Sequence, residues 1–187
     1  MAQYETTSEV IVSQKVKVAL LWLKELLESK QISYQIVGGL AAKIHGGSRE
    51  VADIDLYIHK SDAHKILADV SQYISKPLTH YIEGSWDLEY FQLIYGSQKI
   101  EIGLAPGTKI RASESDEWHE LHTNFERSVS GEYLGVVVPT IPVDDLVAYK
   151  RVLGREVDWI DIQELTGEIA ITNASRGTVN AWRFQSQ

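Results

Sequence analysis

A glycine pair followed by an Asp-x-Asp strand is the feature that most limits how this chain can fold. The segment Ile36–Leu56 reads IVGGLAAKIHGGSREVADIDL. Its apolar start ends at Gly38 and Gly39, a short helical stretch follows, and an alternating strand then carries Asp53 and Asp55. The fold therefore has to place a glycine turn beside a strand that carries two carboxylates.

The two aspartates lie two residues apart on one strand, so both carboxylates project from the same face. Ile54 and Leu56 alternate with them and predict that the opposite face packs in the core. Two carboxylates held side by side repel each other, and a hard divalent cation removes that repulsion. The pair therefore predicts a Mg²⁺ or Mn²⁺ site, and two such ions about 3.5–4 Å apart could flank a displacement at phosphorus.

The glycine turn predicts a phosphate-binding element. Gly38 and Gly39 let a phosphate approach the backbone, and the start of the following helix offers free N–H groups and a favourable dipole. Arg49 lies just before the Asp strand and can meet either a phosphate or the Asp pair. A loop arginine that pairs with a nearby carboxylate is the alternative. The turn and the carboxylates together predict a site for Mg²⁺ and a nucleoside triphosphate (NTP).

The ordered pattern resembles the nucleotidyltransferase superfamily, which has the polymerase-beta-like fold. The resemblance is carried by Val37, Gly38 and Gly39, a spacer of thirteen residues, and then DIDL at Asp53–Leu56. It implies a minimal nucleotidyltransferase fold of the α/β (α+β) class: a small mixed β-sheet backed by helices, with a helical C-terminal part. It also implies an enzyme that moves a nucleoside monophosphate (NMP) from an NTP to an acceptor hydroxyl, with Mg²⁺ bound.

The same family supplies a third carboxylate from a later strand. Glu101 in the string KIEIG fits this role, because Ile100 and Ile102 face the core while Glu101 faces the other way. We expect Glu101 to share a metal ion with the Asp pair and to help deprotonate the acceptor. Asp87 and Glu89 in the preceding strand are the alternatives for this third position.

The string IPVDDLVAYKRVLGREVDWIDIQEL is similar to the C-terminal segment of small bacterial nucleotidyltransferases related to the AbiE-type toxins. Asp145 and Lys150 match that family's Asp-x-x-x-x-Lys helix, and Arg155 with Asp158 or Asp161 matches a later pattern. The resemblance implies that Lys150 binds nucleotide phosphates and that the late aspartate supports catalysis or orientation. Two structural alternatives stay open: an aspartate that caps the helix, and a solvated surface lysine.

The glycine pair and the Asp-x-Asp strand also resemble those of the lincosamide and aminoglycoside nucleotidyltransferases. One residue departs from the AbiE-type pattern: Leu40 follows the glycines where those enzymes usually have serine, so it offers no hydroxyl to a phosphate. The acceptor stays open between a small molecule, a protein and an RNA end, and a cognate antitoxin is a further expected partner. The alternatives are an antibiotic-modifying enzyme and a non-catalytic module that binds a nucleotide or a protein. A Glu101 that lies far from Asp53 and Asp55 would favour the module.

The composition of the chain limits the kinds of partner that it can bind. Asp and Glu number 26 and Lys and Arg number 18, which gives a net charge of −8 and argues against an extended nucleic-acid groove. The chain has no cysteine, which excludes disulfides, thiolate zinc sites and cysteine nucleophiles. Its apolar runs are shorter than the ~20 residues that span a bilayer, and its first residues lack a secretory pattern. We therefore expect a cytoplasmic protein with no membrane partner.

The periodicity along the chain predicts one nucleotidyltransferase-like domain over residues 1–187. Its expected parts are an N-terminal helix in 1–32, the catalytic sheet core in 33–139, and C-terminal helices with a polar tail in 140–187. Pro142 predicts the start of a helix from about Val143 to Leu153. Helical spacing and strand alternation in turn predict a mixed sheet with helices.

Within the core, Ser61 predicts the N-cap of a helix that runs to about Tyr73. The runs Leu88–Tyr95 and Lys99–Leu104 predict an antiparallel hairpin, whereas residues 107–130 give no clear pattern.

Three aromatic residues, Trp86, Tyr95 and Trp118, can stack on a base or on an acceptor, with packing in the core or at its rim as the default. His45 follows the short helix and is expected to pack or to cap it.

Overall fold

In the computed structural model of the chain, residues 7–168 are described, and they form four α-helices and one mixed sheet. The polar tail expected near the C-terminus lies outside the described residues. No described helix has the length and apolar character needed to cross a membrane. The helices are α1 (Thr7–Ser29), α2 (Gly38–Ile44), α3 (Val143–Leu153) and α4 (Glu156–Thr166).

The sheet has nine strands and confirms the expected mixed architecture. They are β1 (Tyr34–Val37), β2 (Asp53–His59), β3 (Ile74–Glu83), β4 (Trp86–Tyr95), β5 (Gln98–Ala105), β6 (Lys109–Arg111), β7 (Trp118–Glu120), β8 (Val129–Tyr133) and β9 (Val136–Thr140). Their order is β7-β6-β4-β5-β2-β1-β9-β8, and β3 pairs with β4. The β2–β5 and β1–β9 pairs are parallel and the others are antiparallel.

Strand β2 lies at the centre and divides the molecule into a packed side and an open side. Its apolar residues Ile54, Leu56 and Ile58 are buried, and helix α1 packs against β2, β5 and β9. The buried face of α1 is formed by Val16, Ala19, Leu20, Leu23 and Leu27. Because side chains alternate along a strand, the aspartates of β2 are left on the opposite face of the sheet.

The helix expected from Ser61 to Tyr73 is wrong. The structure has 3-10 turns at Lys60–Lys65 and Ser71–Tyr73 instead. These turns still bury apolar side chains at spacings of three and four residues. The buried residues are Ala63, Ile66 and Val70.

The predicted β4–β5 hairpin is confirmed, and β3 joins it as a strand that the sequence did not indicate. Pro77 lies inside β3, and the β3–β4 register shifts between Ile74 and Lys76 and again between Lys76 and Thr79. Proline removes a ladder hydrogen bond, so such a strand is tolerated only with irregular pairing. The unassigned residues 107–130 contain the short strands β6 and β7.

Helix α3 begins after Pro142, as the sequence predicts, and ends at Gly154, which has left-handed backbone angles. Helices α3 and α4 pack against each other. His45 is the C-cap of α2, and its Nε2 lies 2.7 Å from the carbonyl oxygen of Ile141. This histidine therefore caps a helix, as expected.

Candidate active site

The pairing of β2 with β5 brings three carboxylates together. In this register Asp55 lies opposite Glu101. One carboxylate oxygen from each of Asp53, Asp55 and Glu101 can be chosen so that all three lie within 4.8 Å of one another. We call these three residues the carboxylate cluster. The two alternatives for the third position lie elsewhere: Asp87 pairs with His80 and Lys109, and Glu89 pairs with Lys60.

The carboxyl groups of the carboxylate cluster repel one another when they are ionised. Burial, together with the charges of Asp53 and Glu101, raises the pKa of Asp55 to about 8. Lys99 and Lys150 oppose this shift and do not cancel it. A carboxyl that stays protonated near neutral pH, beside two further oxygen donors, fits a hard divalent cation, which would replace the proton.

Lys99 is a cluster neighbour that sequence reasoning missed. Its Nζ lies 2.7 Å from Oδ2 of Asp53 and 3.3 Å from Oε1 of Glu101. Gln92 on β4 donates from Nε2 to the same Glu101 oxygen at 2.9 Å. The signal was present, because Lys99 lies two residues before Glu101 on an alternating strand and so shares its face.

Position 38 requires a glycine because its backbone lies against the carboxylate cluster. Its φ is +66°, and a Cβ built there would lie 2.1 Å from Oδ2 of Asp55. Its amide N–H donates to the hydroxyl of Tyr149 at 2.9 Å. Among the N–H groups at the start of α2, that of Gly38 is therefore not free for a phosphate, because Tyr149 on α3 accepts its hydrogen bond. A Cβ at Gly39 would lie 3.7 Å from the Arg49 guanidinium, so Gly39 faces a cation.

Lys150 is buried in an ion-pair network and is not a solvated surface lysine. Its side chain is 2% exposed, and its Nζ lies 3.2 Å from Asp158 Oδ1 and 2.8 Å from Asp161 Oδ2. The helix-cap alternative also fails, since Pro142 is the N-cap of α3. Asp145 forms an ion pair with Arg127 instead.

Two arginines extend this network at its ends. Arg49 donates from Nε and an Nη to both carboxylate oxygens of Asp161, at 2.7 and 3.1 Å. Arg155 forms an equivalent bidentate pair with Asp158: its Nε and an Nη donate to the two carboxylate oxygens, at 2.7 and 3.0 Å. Burial would raise the pKa of Asp161, but hydrogen bonds from Arg49 and Lys150 outweigh it and hold that pKa below its ordinary value.

Five residues form what we call the cation network: Arg49, Lys150, Arg155, Asp158 and Asp161. Three cations against two carboxylates leave one net positive charge. Both late aspartates of the sequence pattern are present in it, and each holds two cations in place. Tyr149 is a further site residue without a sequence signal, since only the fold shows that it reaches Gly38.

The carboxylate cluster and the three cations of the cation network line one cleft of about 410 Å³. Strand β4 adds a third, largely apolar wall through Trp86, Leu88 and Tyr90. Of the three aromatic residues proposed to stack on a ligand, only Trp86 lines this cleft. Tyr95 stacks on Trp22 with ring centroids 4.1 Å apart, and Trp118 lies under the guanidinium of Arg111.

Comparison with known proteins shows which fold carries this cleft. No family model matches the sequence, and no curated protein matches it significantly. Among solved structures, a proposed nucleotidyltransferase from Thermotoga maritima superposes with a TM-score of 0.64 at 20% identity, over 76% of this chain and 86% of that chain. The chain has the nucleotidyltransferase fold.

A lincosamide antibiotic adenylyltransferase, solved with lincomycin bound, has the same nucleotidyltransferase fold. Its TM-score with this chain is 0.53 at 16% identity, over 87% of this chain and 98% of that chain. The expected fold class is therefore confirmed, and the predicted turn, Asp strand and third carboxylate meet in one cleft of that fold.

Proposed function

We propose that this chain is a metal-dependent nucleotidyltransferase that moves an NMP from an NTP to an acceptor hydroxyl. One observation carries the proposal: the carboxylate cluster and the three cations of the cation network line the same cleft. A triphosphate with its metal ion needs both kinds of partner, oxygen ligands for the cation and positive charge for the phosphates. The distance criterion that separates enzyme from binding module also favours the enzyme, because Glu101 lies beside both aspartates.

Asp53, Asp55 and Glu101 would hold the metal, Mg²⁺ or Mn²⁺. They fit it as hard oxygen donors, and the raised pKa of Asp55 marks them as short of positive charge. When bound, the ion would neutralise phosphate charge and polarise the phosphoryl group.

The triphosphate would lie between Gly39, Arg49 and Lys150. Arg49 and Lys150 line the cleft, and their carboxylate partners restrict where these cations can point. Phosphoryl-type transfer depends mainly on positioning and electrostatic stabilisation, so cations that are fixed in advance lower the barrier without reorganising. This assigns Asp158 and Asp161 an orienting role.

The reaction is a displacement at the α-phosphorus. The acceptor hydroxyl oxygen forms a bond to that phosphorus, and the bond from phosphorus to the oxygen that bridges to the β-phosphate breaks. Pyrophosphate leaves with the electron pair. Glu101 accepts the proton of the hydroxyl, which matches its place at the edge of the carboxylate cluster nearest β4.

A small molecule is the acceptor that the observations favour. The apolar wall of Trp86, Leu88 and Tyr90 gives the cleft a surface for a compact ligand. The structural neighbour with lincomycin bound is an adenylyltransferase that acts on a small antibiotic. The net charge of −8 argues against an acceptor that needs an extended nucleic-acid groove. A cytoplasmic location and an antitoxin partner stay predictions.

The test uses α-labelled ATP, GTP, CTP and UTP with Mg²⁺ and a panel of hydroxylated small molecules, read as pyrophosphate release and labelled acceptor. We expect Glu101→Gln to lower transfer at least about 100-fold. Glu89→Gln is the matched control, because the same chemical change on β4 lies outside the cleft lining, and it should leave transfer unchanged.

The double change Asp53→Ala and Asp55→Ala should abolish transfer. Transfer that survives this change means that the mechanism is wrong. Nucleotide binding by calorimetry without turnover of any acceptor would indicate a binding module instead of an enzyme.

A further inference from the structure

The hydroxyl of Tyr149 is a buried donor that has no hydrogen-bond acceptor among residues 7–168. We propose that this O–H donates a hydrogen bond to a non-bridging oxygen of the bound triphosphate, so that Tyr149 is a nucleotide-binding residue. The inference rests on the proposed function and deepens it, because it assigns a further phosphate contact in the same cleft.

The hydroxyl lies where the glycine turn, the carboxylate cluster and the cation network meet. Its oxygen accepts the N–H of Gly38 at 2.9 Å, and the charge of Asp55 acts on it. The Nζ of Lys150 lies 5.7 Å from the centroid of the Tyr149 ring. Tyr149 lines the cleft together with these three residues, although it is only 6% exposed. A triphosphate between the glycine turn and Lys150 would therefore lie beside this hydroxyl.

The glycine turn has no side-chain donor of its own. Gly38 and Gly39 lack side chains, and Leu40 after them is fully buried and has no hydroxyl. The N–H of Gly38 is already bound to Tyr149. The hydroxyl therefore accepts the hydrogen bond of the turn and leaves its own O–H for a group in the cleft, so that a donor is kept at this position.

The surroundings of Tyr149 keep its O–H protonated and oriented. Burial, with the charge of Asp55 added, raises the pKa of Tyr149 above its ordinary value, so the hydroxyl keeps its proton at neutral pH. The contact with Gly38 fixes the hydroxyl before a ligand binds, and a hydroxyl that accepts one hydrogen bond donates the next one more strongly. A donor that is fixed in advance binds a charged phosphate oxygen without reorganising.

The experiment measures, by calorimetry with Mg²⁺ and no acceptor, how tightly the protein binds ATP, GTP, CTP and UTP. The triphosphate that binds most tightly is the probe. We expect Tyr149→Phe to bind this probe about 10-fold to 100-fold more weakly, since a hydrogen bond to a charged group is lost. Tyr34→Phe is the matched control, because Tyr34 is also buried, has its hydroxyl 3.5 Å from Glu28 and lies outside the cleft lining. It should bind the probe like wild type.

Sulphur substitution separates a direct contact from an effect on the glycine turn. The α-, β- and γ-thio analogues of the probe each replace one non-bridging oxygen by sulphur, which is a poorer hydrogen-bond acceptor. At the phosphate that Tyr149 contacts, sulphur should weaken wild-type binding at least about threefold more than it weakens Tyr149→Phe. At the other phosphates both proteins should lose the same factor. Equal losses at all phosphates overturn the inference, because the hydroxyl then acts only through Gly38 or Asp55.

Replacing Tyr149 by 3-fluorotyrosine decides the matter even if Tyr149→Phe does not fold. Fluorine makes the hydroxyl a better donor and a poorer acceptor, so we expect tighter binding of the probe than in wild type, measured at about pH 6, where the hydroxyl keeps its proton. Weaker binding overturns the inference, because accepting from Gly38 is then the role that matters. These results leave the proposed function intact, whereas wild type that binds none of the four triphosphates overturns the proposed function itself.

Discussion

The two charged walls of the cleft are built on opposite rules. The carboxylate cluster holds three carboxyl groups with one bridging lysine at its side. The cation network alternates positive and negative groups, so each buried carboxylate touches two cations. The consequence is visible in two aspartates: the pKa of Asp55 is raised to about 8, whereas that of Asp161 is lowered.

This difference in charge balance indicates that the carboxylate cluster is a ligand site and that the cation network supports it. A cluster whose charges lack partners is stabilised when an external cation binds. A network whose charges are satisfied internally gains less from a ligand, and its carboxylates hold cations where phosphates would arrive. The same residue type, aspartate, therefore has two different tasks: in one wall it lines the cleft, and in the other it holds the cations that line the cleft.

Breaking the cation network should have the largest effect on stability. Lys150→Met removes the central cation and leaves Asp158 and Asp161 buried with one partner fewer each. Loss of one partner from a buried ion pair costs about 3–5 kcal/mol, because the remaining charge stays desolvated. Urea unfolding of the metal-free protein measures this cost.

Lys60→Met is the control for lysine removal, since Lys60 forms an exposed ion pair whose loss should cost about 1 kcal/mol or less. A cost for Lys150→Met as small as that of Lys60→Met would show that the network does not hold its cations as described.

Crowding at the carboxylate cluster gives the second prediction. Gly38→Ala places a Cβ against Asp55 at a positive φ, and we expect a loss of about 2–4 kcal/mol from strain and overlap. Gly84→Ala is the matched control, because Gly84 has φ +59° and no atom within 4 Å of a built Cβ. It should cost about 1–2 kcal/mol for the backbone alone. Equal losses in urea unfolding would mean that Asp55 moves aside freely.

The sequence predicted the carboxylate cluster well because its geometry is local. Alternation along a strand fixes the face of Asp53 and Asp55, and a second alternating strand fixes Glu101. Only the parallel pairing of these two strands had to be supplied by the fold. Lys99 follows from the same alternation once a neighbouring strand is known to carry Asp53.

The sequence singled out the members of the cation network, but their pairing was hidden because it depends on contacts between distant parts of the chain. Arg49 and Asp161 are 112 residues apart, and no periodicity links them. The resemblance assigned Lys150 to the nucleotide phosphates and matched Arg155 to a pattern with a late aspartate, but their burial and pairing required the packing of α3 on α4. Tyr149 was missed for the same reason, since its partner Gly38 is 111 residues away.

The predictions of secondary structure also succeeded where the signal is local and failed where it is not. Helix α3 matches its predicted bounds because Pro142 and Gly154 mark its ends locally. The helix expected after Ser61 is wrong, since a serine that can cap a helix does not determine whether an α-helix or a series of 3-10 turns follows. Strand β3 was missed because Pro77 argues against a strand unless the partner strand is known.

The smallest expected effect is a difference in pH dependence between the two walls. Asp55 has a folded-state pKa near 8, above its unfolded value near 3.8, so the folded state binds more protons between these values. Stability from this group is therefore present at low pH and is lost as the pH rises toward 8. Asp161 has the opposite sign: its lowered pKa gives stability that is lost only as the pH falls through that value.

Asp55→Asn isolates the contribution of the carboxylate cluster. In the absence of metal, the variant should gain on wild type by about 1–2 kcal/mol between pH 5 and pH 8, after allowing for screening by solvent. Urea unfolding in the presence of a chelator, repeated at each pH, measures this difference. Mg²⁺ should reverse it at pH 8, because the ion stabilises only a wild-type cluster that has lost its proton. A difference that does not change with pH would show that the charges of the cluster are already satisfied, and the contrast between the two walls would then disappear.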